Sequence, residues 1–306
     1  MMNPRFCVVS DGSCDLPETM IKENKIAIVP FFVSFDGEHY RKEGGEAERK
    51  EFYRRMVESP KTFPKTAAPS PEDFARVFRE KVKEGQDVIC VCISTKLSAS
   101  LQSAEIAKEM VLEEYPERRI VVLDSLATTM MQGAYVLEIC RLRDKGHTIG
   151  ETVAVMEKLR TTARILFTVG NLEYLRHGGR IGKVTGIAGT LLNVKPLITL
   201  KDGEIHSSGI CRGRKKSLRG TVELLVNYLR EYECGPEDCD ILIGYCYDEE
   251  EARCFKEMTA ARLKEVFGVD VCPPVCRIGA IIGVHAGPYS IGYGVIRRCD
   301  RLSPSL

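Results

Sequence analysis

Short apolar runs that alternate with amphipathic stretches constrain this chain more than any other feature of it. FCVVSD (6–11), IAIVPFFVSF (26–35), DVICVCIS (87–94) and RRIVVLDS (118–125) read as strands entering turns. Between them, PEDFARVFREKVKEG, SASLQSAEIAKEMVLEEY and MQGAYVLEICRLRDKG place apolar residues at helical intervals. Strands joined through helices imply a parallel sheet covered on both faces. Ligands bind such sheets beyond the carboxyl ends of the strands, and three of those ends here are polar: Ser10-Asp11, Ser94-Thr95 and Asp124-Ser125. Two helix starts are specified by capping boxes, Ser70 with Pro71 and Asp73, and Thr148 with Glu151.

The second half changes character. ARILFTVG reads as a strand, followed by a glycine-rich crossing and a hairpin, NVKPLITLKDGEIHSSG, that turns at Asp202-Gly203. A basic-started helix (RKKSLRGTVELLVNYLREY), a strand (DILIGYCYD) and another helix (EARCFKEMTAARLKEVFG) come next. GAIIGVHAG and SIGYGVIRR read as two closing strands separated by a turn. The 306 residues suit two domains at roughly 100–200 residues each. The change of pattern places their boundary near 155–165, giving α/β domains over 1–160 and 161–306.

Composition removes several classes of function. Formal charge is +1, from 44 basic and 43 acidic side chains, so no broad field steers the chain onto a phosphate polymer. The apolar run near the N-terminus is too short for a secretory leader, and no stretch reaches the eighteen or so apolar residues of a membrane span. A cytoplasmic protein without stable membrane insertion is expected. Its 13 cysteines are an odd number and several lie in apolar strands, Cys7, Cys90 and Cys92 among them. They read as structural thiols. The pairs Cys234/Cys239 and Cys272/Cys276 lack the spacing and interleaved histidine of a zinc site, so no metal is expected.

Five segments remain as candidates for function. In KTAAPSPEDF, Thr66 offers a hydroxyl near a capped helix start, as a carboxylate donor or as a turn residue. Ser94, Thr95, Ser98 and Ser100 form a hydroxyl cluster between a strand end and a helix, for a ligand headgroup or as caps. LEYLRHGGRIGK gathers Arg176, His177, Arg180 and Lys183 around two glycines, for an anion, a domain contact or a partner. In CRGRKKSLRG five of ten residues are basic; without interleaved aromatics it reads as a solvated or protein-contact surface, not a nucleic-acid site. In GAIIGVHAGPYSIGYGV, His285 serves either a carboxyl oxygen or the structure, and the glycines allow close chain packing. The G-x-S-x-G elbow, the H-E-x-x-H zinc signature, the kinase glycine loop and the G-x-x-x-x-G-K-S/T phosphate loop are all missing.

Taken in order, VVSDGSCDLP, TAAPSP, ISTKLSASLQSA, VLDS, LEYLRHGGRIG, NVKPLITLKDGEI, GRKK and IGVHAGPYSIG make a chain-long series that resembles the DegV family. Characterised bacterial members of that family include the fatty-acid-binding subunits of fatty acid kinase. The resemblance implies a two-domain DegV-like α/β fold, with an N-terminal parallel-sheet α/β/α domain and a C-terminal mixed-sheet α/β domain. It implies a long-chain fatty acid held between them, tail in an apolar tunnel and carboxyl group at a polar mouth. It also implies carboxyl contacts from Thr66, Ser98 and His285, and an anion or partner contact from Arg176 and Arg180. Three positions depart from the family pattern: Ala67 replaces a serine, and Ala99 and Ser100 replace a glycine and a threonine. On this reading the chain carries no catalytic residue and no cofactor. It presents the carboxyl group to a separate ATP-binding fatty acid kinase subunit, and an acyltransferase is a possible further partner. Lipid transport or sensing without a kinase is the alternative, and an autonomous acyl-transfer or hydrolytic enzyme a more distant one.

Overall fold

A computed structural model describes residues 6–184 and 193–301. The first half runs β1 (Phe6–Asp11), α1 (Glu18–Glu23), β2 (Ile26–Val29), β3 (Phe32–Ser34), β4 (Arg41–Lys42), α2 (Glu46–Glu58), β5 (Lys65–Ala67), α3 (Pro71–Lys83), β6 (Asp87–Cys92), α4 (Ser100–Glu114), β7 (Ile120–Asp124) and α5 (Thr129–Asp144). Then come α6 (Ile149–Leu159), β8 (Arg164–Thr168), α7 (Glu173–His177), β9 (Val194–Lys201), β10 (Glu204–Arg212), α8 (Arg214–Glu231), β11 (Cys239–Tyr245), α9 (Glu249–Phe267), β12 (Val275–Arg277), α10 (Ala280–Ala286) and β13 (Ile291–Arg297). None of the described helices is long and apolar enough to cross a membrane.

The expected parallel sheet forms in the order β2-β1-β6-β7, with all its pairings parallel. It is covered on both faces, and every residue of β1 is buried, which explains why FCVVSD shows no alternation. Phe74, Phe78 and Val82 of α3 and Ala104, Ala107 and Val111 of α4 pack against one face. The other face meets α5. A mixed sheet, β10-β9-β8-β13-β11-β12, lies on the far side of α5 and takes α8 and α9 on its own outer face. Thirteen of the sixteen residues of α5 are buried because the helix is shared between the two sheets. At the close approach to the mixed sheet, a β-carbon on Gly294 would overlap the backbone of Met131. The glycines of SIGYGV do allow close packing.

Both capping boxes form, Ser70 accepting from Asp73 N and Thr148 from Glu151 N. The β9–β10 hairpin turns at Asp202 (φ 52°) and Gly203 (φ 79°), both in the left-handed region that a tight two-residue hairpin turn requires.

Two readings need correction. IAIVPFFVSF is not one strand: Pro30, which has no N–H to donate, separates β2 from β3, and β3 belongs to a small antiparallel sheet, β4-β3-β5. LEYLRH forms the short helix α7. GAIIGVHAG is the helix α10, not a strand. Its apolar run fits either state, and buried contacts at its N-terminus, described below, decide the matter. The residues 185–192 of the glycine-rich crossing and the Lys183 side chain lie outside the described part.

Candidate functional site

A cavity with about 1160 Å³ of empty space, counted to its open mouth, lies where the three sheets meet. Phe31 and Ile93 from the first half and Phe167, Leu200, Ile205 and Ile281 from the second form its apolar walls. Its polar lining includes Thr66, Ser98, Arg180 and His285. Arg180 and Ala99 are exposed and Thr66, Ser98 and His285 half-buried, whereas Ile93, Leu200 and Ile205 are buried. These four polar residues therefore mark the mouth, and the aliphatic group, together with the buried hydroxyls of Thr128, Thr129 and Ser290, the depth.

Each polar residue arrives by a separate route. Thr66 sits mid-strand in β5, opposite Val33 of β3, so neighbouring residues point to opposite faces. Ala67 is exposed, so the family serine missing there takes no donor from the cavity. Ser98 lies in the turn between β6 and α4. Its backbone N–H donates to Ser94 O (3.1 Å) and its hydroxyl oxygen accepts from Ser100 N (3.3 Å). The hydroxyl thus helps cap the helix and keeps its own proton for a ligand. Ala99 has φ −81°, an ordinary conformation for any residue. Alanine in place of glycine imposes no backbone strain there.

Asp11 fixes this turn from below. It is fully buried and accepts from Ser13 Oγ (2.7 Å), Ile93 N (2.9 Å), Ser100 Oγ (2.6 Å) and Gln132 Nε2 (2.8 Å). The end of β1 is therefore polar to hold the Ser98 loop, and it does not line the cavity. Ser94 likewise has a structural partner, donating to Gly203 O (3.1 Å) at the tip of the β9–β10 hairpin.

His285 comes from the last turn of α10, where its Nε2 lies 3.0 Å from Thr66 Oγ1. Burial, helped by the positive charge of Arg180, holds its pKa down at about 4, so the imidazole is neutral at pH 7. Its Nδ1 is buried without a hydrogen-bond partner among the described residues and faces Gly178, where a β-carbon would overlap it. The first glycine of LEYLRHGGR is required by this approach, since its φ of −74° would suit any residue. Arg180 is fixed to the same corner by bonds to Leu97 O (3.1 Å) and Gly178 O (2.5 Å). Arg176 is exposed on α7 and does not line the cavity.

The other end of α10 is held by residues that the sequence pattern did not single out. Glu43 accepts from Ala280 N, and both the Asp15 and the Glu43 carboxyl groups converge on Gly279. Arg49 Nε lies 3.4 Å from Glu43 Oε1. The Tyr53 hydroxyl meets Ile278 O (2.9 Å) and Gly279 O (2.8 Å). Burial pushes Asp15 up to about 6 and Glu43 up to about 7, with the Arg49 guanidinium opposing it. In sequence Glu43 and Arg49 belong to a charge-rich stretch, KEGGEAERK, that looks like a solvated face. No local pattern separates them from their exposed neighbours.

No described cluster of three or more histidine, cysteine or acidic residues has the arrangement of a metal site. The polar lining instead offers hydroxyl protons, a neutral imidazole and one guanidinium at the entrance of an apolar space. Such a set can hold an anionic headgroup whose tail is hydrocarbon.

A profile described as uncharacterised proteins of the DegV family matches residues 5–298. The chain belongs to the DegV family. A DegV domain-containing protein of Clostridium acetobutylicum is 31% identical over 287 residues, covering 93% of this chain and 95% of that one. Among solved structures, a stearic-acid-binding protein from Eubacterium ventriosum shares 40% identity at a TM-score of 0.90, covering 97% of this chain and 100% of the other. A fatty-acid-binding DegV family protein from Thermus thermophilus shares 32% identity at a TM-score of 0.80, covering 96% and 99%.

Proposed function

We propose that this DegV family chain binds one long-chain fatty acid, with the tail in the apolar cavity and the carboxylate at Thr66, Ser98 and His285. The supporting observation is the convergence of these three residues, from β5, the β6–α4 turn and α10, at the open end of a mostly apolar space. Burying a methylene gains roughly 0.8 kcal/mol, so about fifteen give about 12 kcal/mol gross, part of which ordering and association offset. The tail supplies affinity and the mouth sets direction. A neutral His285 that donates from Nε2 to Thr66 Oγ1 leaves the threonine proton for the carboxylate, and Ser98 supplies a second. Arg180 adds a positive charge at the rim. In this reading residues 1–160 contribute the carboxyl-binding loops and residues 161–306 complete the lipid site.

The chain then acts as a substrate-presenting subunit without catalytic residues of its own. The bound carboxyl group is offered to ATP held by a separate fatty acid kinase subunit, with exposed Arg176 of α7 as a contact. An acyltransferase takes up the resulting acyl phosphate.

Native mass spectrometry of the purified protein, followed by lipid extraction, tests the binding. One fatty acid per chain is expected, with saturable rebinding after delipidation; absence of saturable binding contradicts the proposal. Incubation with ATP and fatty acid, with and without the ATP-binding subunit, tests the division of labour. Acyl phosphate should form only when both are present, and its formation by this chain alone contradicts the non-catalytic role.

A further inference from the structure

Outside the cavity lining, two thiols face each other just past the end of α8. Cys234 Sγ and Cys239 Sγ are 3.7 Å apart. Cys234 closes the helix with a bond from its N–H to Leu229 O (3.0 Å), and Cys239 begins β11. Between them Pro236–Asp238 forms a single tight turn, held by Gly235 N to Asp238 Oδ2 (2.9 Å) and Asp238 N to Gly235 O (3.1 Å). That turn doubles the chain back and brings the thiols together. Opposite Cys239 in the sheet register stands Arg297 of β13. Its Nη2 donates to Arg301 O (3.0 Å), while its buried Nε has no hydrogen-bond partner among the described residues.

The electrostatics set this pair apart. Desolvation pushes buried thiols such as Cys7, Cys14 and Cys246 up to about 12. The Cys234 thiol moves the other way: the hydrogen bond from Cys239 and the charge of Arg297 favour its thiolate over the opposing effect of burial. Cys239 moves upward, through its hydrogen bond to Cys234 and through burial, which favours its protonated form. A thiol favoured as thiolate beside a protonated second thiol and a guanidinium is the environment of a reactive cysteine with a resolving partner. Each residue keeps 8% of its surface, whereas Cys90 and Cys92, 3.9 Å apart, are fully enclosed within β6.

We propose that Cys234 and Cys239 form a redox-active dithiol that closes to an intramolecular disulfide on reaction with a low-molecular-weight disulfide. The Cys234 thiolate attacks one sulfur of that reagent, forming a mixed disulfide and releasing a thiolate that takes a proton from water. Cys239 then gives its proton to solvent and attacks Cys234 Sγ, releasing the second thiolate. Two protein thiols are oxidised and one reagent disulfide is reduced to two thiols. The pair sits in the apolar cluster under α8 and α9, on the face of the mixed sheet away from α5. The proposal is therefore independent of the lipid reading.

The reduced full-length protein, treated with oxidised glutathione and digested without reductant, gives the test. A peptide linking Cys234 to Cys239 is expected, alongside simple adducts on exposed Cys254 and Cys272. Cys239→Ser should trap glutathione on Cys234, and Cys234→Ser should leave Cys239 unmodified. Arg297→Gln should slow adduct formation at Cys234 by roughly tenfold while exposed Cys254 reacts at its original rate. Fatty-acid affinity should agree within about twofold between the oxidised and reduced forms. Modification confined to Cys254 and Cys272, or equal reactivity of Cys234 and Cys239 in the single variants, overturns the proposal.

Discussion

The two ends of α10 are held by opposite means. At its start, two carboxyl groups and a guanidinium are buried together against the backbone of Gly279 and Ala280. At its finish, one neutral imidazole meets one hydroxyl, and no ion pair is involved. The three charged side chains take no part in the cavity lining, whereas His285 at the neutral end belongs to it. A carboxylate inside the mouth would repel a ligand's own acidic headgroup, whereas the neutral imidazole does not, and the one guanidinium of the lining, Arg180, stands exposed at the rim. The helix is thus anchored electrostatically where no ligand goes and left neutral where one is proposed to sit.

The largest effect should come from breaking the charged end. Arg49→Met leaves Asp15 and Glu43 without their counter-charge, and we expect a loss of about 3 kcal/mol in unfolding free energy at pH 8. The loss should shrink at pH 5, where both carboxyl groups take up protons. Denaturant titration at the two pH values measures it, and an equal loss at both would remove the charge argument.

At the neutral end, Gly178→Ala places a methyl group against His285 Nδ1. We expect a roughly thirtyfold loss of fatty-acid affinity, about 2 kcal/mol, read by calorimetric titration. Thr66→Val should weaken binding about tenfold, or about 1.4 kcal/mol, and Ser98→Ala somewhat less, since α4 keeps its other starting contacts. Thermal unfolding of both variants should stay near that of the parent, because neither hydroxyl supports the core. Unchanged affinity in Ser98→Ala would remove that residue from the site.

The smallest effect separates the two ends by pH. Asp15 and Glu43 titrate above their ordinary range, so between about pH 4 and pH 7 the native chain retains protons that the unfolded chain has released. Their contribution to stability is greatest below that window and declines as pH rises through it. His285 has the opposite sign: its value is lowered, so stability is kept above about pH 6.5 and lost as pH falls toward 4. Asp15→Asn should therefore gain stability relative to the parent as pH rises from about 5 to 8. A constant difference in melting temperature across that range would contradict the assignment.

How much of this was legible in the sequence follows the same division. The parallel sheet could be read because its strands are buried on both faces and leave unbroken apolar runs, as in FCVVSD and DVICVCIS. The hairpin at Asp202-Gly203 and the caps at Ser70 and Thr148 could be read because local chemistry alone decides them. GAIIGVHAG could not, since α10 is specified by Glu43 and Tyr53, more than two hundred residues away in the chain. For the same reason Thr66, Ser98 and His285 could be singled out as polar residues near turns, while the 3.0 Å contact between Thr66 and His285 could not. The resemblance to a family supplied what periodicity lacked. Of the charged anchor only Asp15 fell within a quoted family motif, VVSDGSCDLP; Glu43 and Arg49 had neither kind of signal, because they look like surface residues until the fold buries them.

The central claim is directional: a fatty acid enters tail first, with its carboxylate at the neutral end of α10. A crystal structure of the delipidated protein soaked with stearic acid tests it most directly. The account predicts carboxylate oxygens within hydrogen-bond reach of Thr66 Oγ1 and Ser98 Oγ, with the tail along Phe167, Leu200 and Ile281. A carboxylate at the deep end of the cavity, or a lipid bound elsewhere with the cavity empty, would contradict it.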